Sequence, residues 1–351
     1  MSLKLMPAAQ ALAQLDQFDA VIDARSEGEY ALDHLPGAQN WPTLHDDERI
    51  TIGTLYKQVS PFEARKLGGV TAARNIASNI EAHALDKPKH WAPLTYCWRG
   101  GQRSGSLSLV LDQIGFKVTL VEGGYKAFRA AMLEDIPLQA QRLQFEVVCG
   151  TTGCGKTRLL HALAAEGAQV LDLEGLANHR SSLLGAVPGL PQPTQKRFDT
   201  LVWDTLRQFD ATRPVYVESE SKKIGNLTLP TALVERMHAS PCLQLSLPTE
   251  ERIELLLEDY SHLVHDTTYF CHRLDVMAEF RGKVVVQGWK DRVAAGDFRP
   301  VVQDLLTQHY DPSYLKSMQN NFRQYGSARS IEAAERSPQA MQAVAKALLA
   351  H

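Results

Sequence analysis

Hydrophobic positions follow two rhythms along the chain: short apolar runs that read as buried strands, and longer stretches with apolar residues at helical spacing. Ala20-Val21-Ile22-Asp23-Ala24 is a run of the first kind, and Ser26 is placed to cap a helix over Glu27 to Leu32. His34-Leu35-Pro36-Gly37-Ala38-Gln39-Asn40 reads as a Pro-Gly turn into another short strand. Ala92 to Tyr96 predicts a strand and Ser104 to Ile114 a helix, with Leu107, Val110, Leu111 and Ile114 on one face. Phe145 to Cys149 is a strand followed by a helix carrying Leu159, Leu160 and Leu163, and Ala168 to Leu171 and Pro214 to Val217 are further apolar runs. From Thr249 onward the pattern turns helical, with Ile253, Leu256 and Leu257 on an amphipathic run and the same character in Tyr314 to Met318 and Ser337 to Leu349. Two stretches break the rhythm. Ile52 to Gln58 and Ala64 to Gly68 form a Gly-punctuated insertion that reads as a surface loop plus a helix start. Ala130 to Arg142, centred on Pro137, commits to neither sheet nor helix, and the domain boundary is placed there. The expected domains are 10–135 and 136–351, both α/β.

At 351 residues the chain exceeds what one core ordinarily serves, which agrees with two domains. A hydrophobic content of 44% with 22% charged residues describes an ordinary soluble globular protein. No apolar run is long enough to span a bilayer, and Pro7 interrupts the N-terminal Met1-Ser2-Leu3-Lys4-Leu5-Met6 before a signal peptide could form. The expected location is the cytoplasm, with no membrane partner. Cysteines at 97, 149, 154, 242 and 271 lack the spacing of a disulfide framework or a zinc site, so reduced thiols are expected. His262, His265, His272 and His309 match no zinc pattern, and no resident metal is predicted there. A net charge of −3 leaves no global basic footprint, so any RNA would have to meet a local patch.

The first candidate chemistry lies in Tyr96-Cys97-Trp98-Arg99-Gly100-Gly101-Gln102-Arg103-Ser104, where a cysteine sits between a strand and a helix. The glycine pair lets the loop wind tightly, so that backbone N–H groups and the positive helix end can face the sulfur and favour the nucleophilic thiolate. Arg103 is placed to close the cup and hold a tetrahedral oxyanion through two hydrogen bonds. A lone cysteine beside a Gly turn is ordinarily structural. The grouping of Cys, Gly pair and Arg on one strand-loop-helix favours a catalytic Cys97 and Arg103. Together with Asp23-Ala24-Arg25-Ser26, the His34 to Asn40 turn and Val118 to Tyr125, the loop resembles a rhodanese domain over about residues 10 to 135. That resemblance implies a parallel sheet flanked by helices, with the active-site loop after a central strand. Many single-domain rhodaneses have a loop one residue shorter. The Cys-x5-Arg form resembles phosphatase loops and suggests a bulkier, phosphate-like donor. Tyr96 stands where such phosphatases usually have His, and no Asp obviously supplies their general acid, so phosphatase activity is the lesser reading.

The second is Gly150-Thr151-Thr152-Gly153-Cys154-Gly155-Lys156-Thr157, a G-x-x-x-x-G-K-[ST] run between a strand and a helix. The glycines let N–H groups wrap a phosphate, Lys156 adds a point charge, and Thr157 offers a hydroxyl to Mg²⁺ where one is bound. Cys154 reads as a small filler. Where a Walker B motif would end in Asp, the run from Pro214 ends in Glu218-Ser219-Glu220-Ser221, and Asp172 is a second acidic candidate after a strand. Each could hold a metal or a water, or be a solvated loop carboxylate. Asp172 to Ser182 and Lys222 to Gly225 are expected as polar loops at the sheet edge that carries the P-loop, which makes Arg180, Lys222 and Lys223 candidates for phosphate or RNA contact as well as ordinary surface charge.

A rhodanese-like domain joined to a P-loop NTPase-like α/β domain with added helices, with Asp172-Leu173-Glu174-Gly175-Leu176-Ala177 and Glu218-Ser219-Glu220-Ser221 in the second, closely resembles the tRNA 2-selenouridine synthase family over essentially the full length. The resemblance implies replacement of sulfur by selenium in wobble 2-thiouridine near the tRNA anticodon, with selenophosphate as donor and geranyl diphosphate forming an S-geranyl intermediate. It also implies co-substrates in place of a tightly bound cofactor, and a selenophosphate-producing enzyme as a partner. On that expectation the P-loop holds diphosphate, and Cys97 receives selenium as a selanylsulfide while Arg103 holds the phosphate end. A sulfurtransferase or phosphatase fused to a P-loop kinase, and a non-catalytic RNA scaffold, are the alternatives.

Overall fold

The computed structural model describes residues 3–180, 182, 184–187 and 189–350. Contacts divide these into two compact units, one made of 1–136 and 193–204 and the other of 137–192 and 205–351.

In the first unit five short strands, β1 (Lys4–Pro7), β2 (Ala20–Asp23), β3 (Ala38–Asn40), β4 (Pro93–Tyr96) and β5 (Thr119–Glu122), form a parallel sheet in the order β1-β5-β4-β2-β3. All four residues of β4 are buried, because a central parallel strand is covered on both faces. Leu107 and Leu111 of the helix Gln102–Ile114 are fully buried and pack with Ile22, Trp41, Trp91 and Phe116. Ser26 and Glu29 form a reciprocal capping box at the start of the helix Glu27–Leu32. The Gly-punctuated insertion is not a loop. It folds as two helices, Asp46–Gln58 and Pro61–His83, the second opened by Pro61 at its first position with Ser60 as cap.

The stretch around Pro137 also departs from expectation, for Gly124–Arg142 is one continuous helix. Phe128, Met132, Ile136 and Ala140 recur every four residues and are all buried, and this apolar stripe outweighs the hydrogen bond that proline removes.

The second unit contains β6 (Gln144–Cys149), β7 (Gln169–Leu171), β8 (Pro214–Glu218), a two-stranded hairpin of β9 (Lys223–Ile224) and β10 (Leu227–Thr228), then β11 (Cys242–Ser246) and β12 (Arg329–Glu332). Its main sheet is parallel in the order β12-β11-β6-β8-β7. The P-loop leaves β6, the middle strand, at the carboxyl edge where connections diverge to either side and ligands bind in open α/β sheets. The chain after Thr249 is helical except for β12, an edge strand whose only buried side chain is Ile331. A single apolar residue among polar ones gave no strand signal. The helices between Thr249 and Tyr310 gather their own core of Leu263, Phe270, Leu274, Met277, Trp289 and Val301. Among the described residues no helix is long and apolar enough to cross a membrane.

Candidate active sites

Cys97 follows β4 and lies at the start of the loop that enters the helix Gln102–Ile114. One glycine from elsewhere in the chain shapes that loop. Gly124, at φ +57°, stands so close that a Cβ there would lie 2.2 Å from the Cys97 carbonyl oxygen and 2.5 Å from the Gly100 nitrogen. The Tyr125 N–H donates to the Cys97 carbonyl at 2.8 Å and the Lys126 N–H to that of Trp98 at 3.1 Å, so the loop is tied down through its carbonyls. Among the described residues no protein group accepts from the N–H groups of Arg99, Gly100 or Gly101. Those donors are available to an anion. The thiol is 3% exposed, has an apolar cluster on one side, and receives a hydrogen bond from the Ser104 hydroxyl at 3.0 Å.

Arg103, expected to close the cup around the sulfur, is paired with a carboxylate. Its guanidinium donates to both oxygens of Glu29, at 2.6 and 3.3 Å, and the pair is mostly shielded from water. Burial pushes the Glu29 carboxyl up, Arg103 pulls it further down, and the net direction is down. Glu29 thus caps a helix and anchors Arg103 at once. Sequence reasoning missed it, although the Ser26-x-x-Glu29 spacing carried the capping signal.

Beneath the loop lies a buried polar network. Asp23 takes three hydrogen bonds from the Arg25 side chain at 2.6 to 3.0 Å and one from the Tyr96 hydroxyl at 2.8 Å. Arg25 also donates to the Asp33 carbonyl and lies 4.1 Å from the centre of the Tyr125 ring. Tyr125 and Thr200 donate to one oxygen of Asp33, while its other oxygen is buried without a hydrogen-bond partner, 4.0 Å from the Arg197 guanidinium. Burial pushes the Asp33 carboxyl up against the pull of these donors and of Arg129 and Arg197. Tyr96, where the phosphatases usually carry His, is therefore a structural hydroxyl that joins Asp23 to the Leu35 N–H.

In the second unit Gly150, Gly153 and Gly155 all adopt positive φ, which lets the chain from Gly150 to Thr157 curl over the start of the helix Lys156–Ala165. The Lys156 ammonium donates to the Gly150 carbonyl at 2.8 Å and lies 5.1 Å from the centre of the Tyr314 ring. The Tyr314 hydroxyl accepts from the Gly150 N–H at 2.6 Å and meets the Ser219 hydroxyl at 2.7 Å. Burial pushes the lysine down, but Cys154, Tyr314, Glu174 and Glu220 together pull it up, so it stays charged. Arg252 fixes the outer turn with two hydrogen bonds to the Thr152 carbonyl and a bidentate pair with Asp311. Cys154 is wholly buried, a packing residue. Tyr314 and Arg252 gave no motif signal, because their partners lie 164 and 100 residues away in the chain.

The acidic candidates take different posts. Asp172 caps the short helix Leu173–Ala177, a stretch expected as loop, and meets His161 at 3.1 Å. Thr157 donates to Glu174 at 3.2 Å, and the Glu174 N–H donates to Glu218 at 2.8 Å. Glu218 is 2% exposed, with one oxygen lacking a partner. Burial raises its carboxyl well above the usual range, and Glu220, Asp172 and Glu174 push the same way.

Lys156, Thr157, Asp172, Glu174 and Arg180 line one cleft of about 630 Å³. Arg180 donates to the Asp259 carbonyl and stacks over Tyr260. Lys222 and Lys223 are exposed at the β9–β10 hairpin and do not line that cleft. Ser181, within the stretch read as a polar loop, lies outside the described residues.

The two halves match known families separately, residues 7–131 the rhodanese-like domain and residues 143–284 the tRNA 2-selenouridine synthase AAA domain. A tRNA 2-selenouridine synthase of Sulfurovum sp. (strain NBC37-1) is 32% identical over 346 residues, which span 89% of this chain and 93% of that protein. The chain belongs to the tRNA 2-selenouridine synthase family. The enzyme of that name from Marinobacter nauticus (strain ATCC 700491 / DSM 11845 / VT8) is 37% identical over 323 residues, spanning 84% of this chain and 87% of its own. That from Hydrogenovibrio crunogenus (strain DSM 25203 / XCL-2) is 30% identical over 340 residues, spanning 87% and 93%. Tyr96 to Ser104 falls within the rhodanese-like match of this synthase-family chain, and Gly150 to Thr157 within the AAA match.

Proposed function

We propose that the protein is a cytoplasmic enzyme that replaces the 2-thio sulfur of wobble 2-thiouridine in tRNA by selenium, with selenophosphate as donor and an S-geranyl intermediate made from geranyl diphosphate. The observation that carries this reading is that one chain of this family holds two unlike anion loops, one enclosing a thiol and the other an ammonium. The tRNA is engaged at its anticodon region, and an enzyme producing selenophosphate supplies the donor.

Alkylation comes first. The sulfur attacks C1 of geranyl diphosphate, the C1–O bond breaks, and diphosphate leaves with the electron pair. Lys156 and the N–H groups of Gly153, Gly155 and Lys156 stabilise charge that grows on the leaving oxygen. Magnesium would be held in this cleft by Thr157 and Glu174, which line it, while Glu218 behind them takes the Glu174 N–H on one oxygen and buries the other without a hydrogen-bond partner. When bound it would neutralise the diphosphate.

S-alkylation makes C2 electrophilic and turns the sulfur into a thiol leaving group. Electron counting then restricts Cys97. Were selenium passed to the cysteine as a selanylsulfide, the S–Se bond would form as the Se–P bond broke, and phosphorus would depart with the pair as phosphite. The balanced route keeps selenium nucleophilic. It adds to C2, the C2–S bond breaks and geranylthiol leaves with a proton. The Cys97 thiolate then takes the phosphoryl group from selenium, and water releases phosphate from the cysteine. The N–H groups of Arg99 to Gly101 hold the phosphoryl oxygens during that transfer.

Two variants test the reading. Cys97→Ala should yield no selenouridine by nucleoside mass spectrometry, and normal selenouridine in that variant refutes the role of the thiol. Phosphorus NMR of the wild-type reaction should show phosphate, whereas phosphite would restore the selanylsulfide route. Lys156→Ala should weaken geranyl diphosphate binding by at least about tenfold, the loss of one charged contact to an anion, and unchanged affinity removes the diphosphate assignment.

A further inference from the structure

Beside the P-loop cleft lies a second cavity, walled almost wholly by apolar side chains that include Leu184, Leu257, Leu263, Val264, Phe270 and Leu305. It shares Thr152, Ser182, Leu256 and Tyr260 with the cleft, so the two adjoin across one rim. At that rim the Ser182 and Tyr260 hydroxyls are 3.0 Å apart, and the Arg180 guanidinium lies 4.9 Å from the centre of the Tyr260 ring. The polar part of the space therefore begins at the P-loop and ends at this hydroxyl pair. Tyr310 adds a third hydroxyl beside Ser182, and the rest of the lining is leucine, valine and phenylalanine, which can neither donate nor accept the hydrogen bonds that a nucleotide base or ribose needs. The arrangement suits a ligand with an anionic head and a hydrocarbon tail.

We propose that this apolar cavity receives the tail of the ligand whose diphosphate the P-loop holds, a proposal that rests on the diphosphate reading above. The cavity is narrow, about 50 Å³ as folded, and Leu256, Leu257 and Val264 are only half-buried, so these side chains move aside as the tail enters. The reactive C1 then lies at the shared rim, beside the Tyr260 ring face.

The test is a binding series on the full chain, by calorimetry, with inorganic diphosphate, dimethylallyl diphosphate and geranyl diphosphate. Each added apolar carbon leaves water, so the wild type should bind the ten-carbon ester at least about tenfold more tightly than the five-carbon one. Val264→Trp and Leu257→Trp, which fill the cavity, should weaken geranyl diphosphate by about tenfold or more while changing inorganic diphosphate by less than about twofold. Equal wild-type affinities across the series overturn the tail cavity, and this arm needs no variant to fold. So does an equal loss of both ligands in a Trp variant whose thermal unfolding matches the wild type. Lys156→Ala separates the two failures. If it weakens every diphosphate while chain length has no effect, only the tail assignment falls; if it weakens none, the diphosphate reading falls and the tail proposal with it.

Discussion

Replacing Glu29 by Gln removes one charge from the pair that holds Arg103 while sparing the helix cap, because Gln can accept from the Ser26 N–H as Glu does. The two hydrogen bonds to Arg103, at 2.6 and 3.3 Å, join side chains only 22% and 17% exposed. A hydrogen bond to a charged group contributes about 1.5–3 kcal/mol, and Gln keeps one acceptor, so the loss should be about 1–2 kcal/mol. For a unit of this size that lowers the unfolding midpoint by about 2–8 °C. Tryptophan fluorescence can report it, since Trp41, Trp91, Trp98 and Trp203 belong to the first unit and only Trp289 to the second. The pH dependence is the sharper check. The Glu29 carboxyl is held below its ordinary 4.5 in the fold, so its contribution is complete above that value and is lost as pH falls through the lower folded one. Wild type and variant should therefore differ by a constant amount near neutrality and converge only as pH falls below 4.5 and through the lowered folded value. A difference that persists undiminished in acid, or none at neutrality, would refute the assignment of Arg103 to Glu29.

Gly124→Ala should abolish selenouridine formation by driving a Cβ into the Cys97 carbonyl and the Gly100 nitrogen at a backbone angle of φ +57°. Calorimetry should find its geranyl diphosphate binding unchanged, and selenouridine at wild-type levels would mean that the loop tolerates the displacement. Glu218→Gln should stabilise the protein near neutral pH and change little near pH 4. The buried carboxyl takes up its proton more readily in the fold than in the unfolded chain, so its stabilising balance worsens as pH rises above 4.5 toward the raised folded value. Thermal unfolding with no neutral-pH gain would show that the carboxyl is better compensated than its surroundings indicate.

Much of this was legible before any coordinates, where local chemistry decides structure. The strand-loop-helix around Cys97 and the run from Phe145 through Leu163 follow from apolar runs broken by glycines at positive φ, and both form close to the expected bounds. What escaped notice depends on partners far away in the chain. Arg103 reads as an oxyanion ligand until Glu29 is placed beside it, 74 residues upstream. Pro137 reads as a break until the four-residue apolar repeat from Phe128 to Ala140 is buried on one face. Segment 193–204 follows the P-loop in sequence but belongs to the first unit, where Thr200 donates to Asp33 and Arg129 pairs with Asp199. No periodicity announces such an exchange.

The two loops hold their cations in ways that assign them different work. Lys156 rests on a neutral carbonyl and an aromatic ring, so on the proposed reading an arriving diphosphate would replace partners far weaker than itself and the ammonium would need only a small shift. Arg103 rests on a carboxylate with two hydrogen bonds, and drawing it to a phosphoryl group would mean breaking a shielded ion pair and leaving Glu29 with only the Ser26 donors and the more distant Arg49 at 3.8 Å. On the proposed phosphoryl transfer, anion binding beside Cys97 would come chiefly from the N–H groups of Arg99 to Gly101, which no protein acceptor claims among the described residues, while Arg103 pairs with Glu29 at the helix cap. Backbone donors cannot be removed by side-chain substitution, so the sensitive positions around the thiol are the glycines that set the loop's path, Gly100 and Gly124, rather than its arginine.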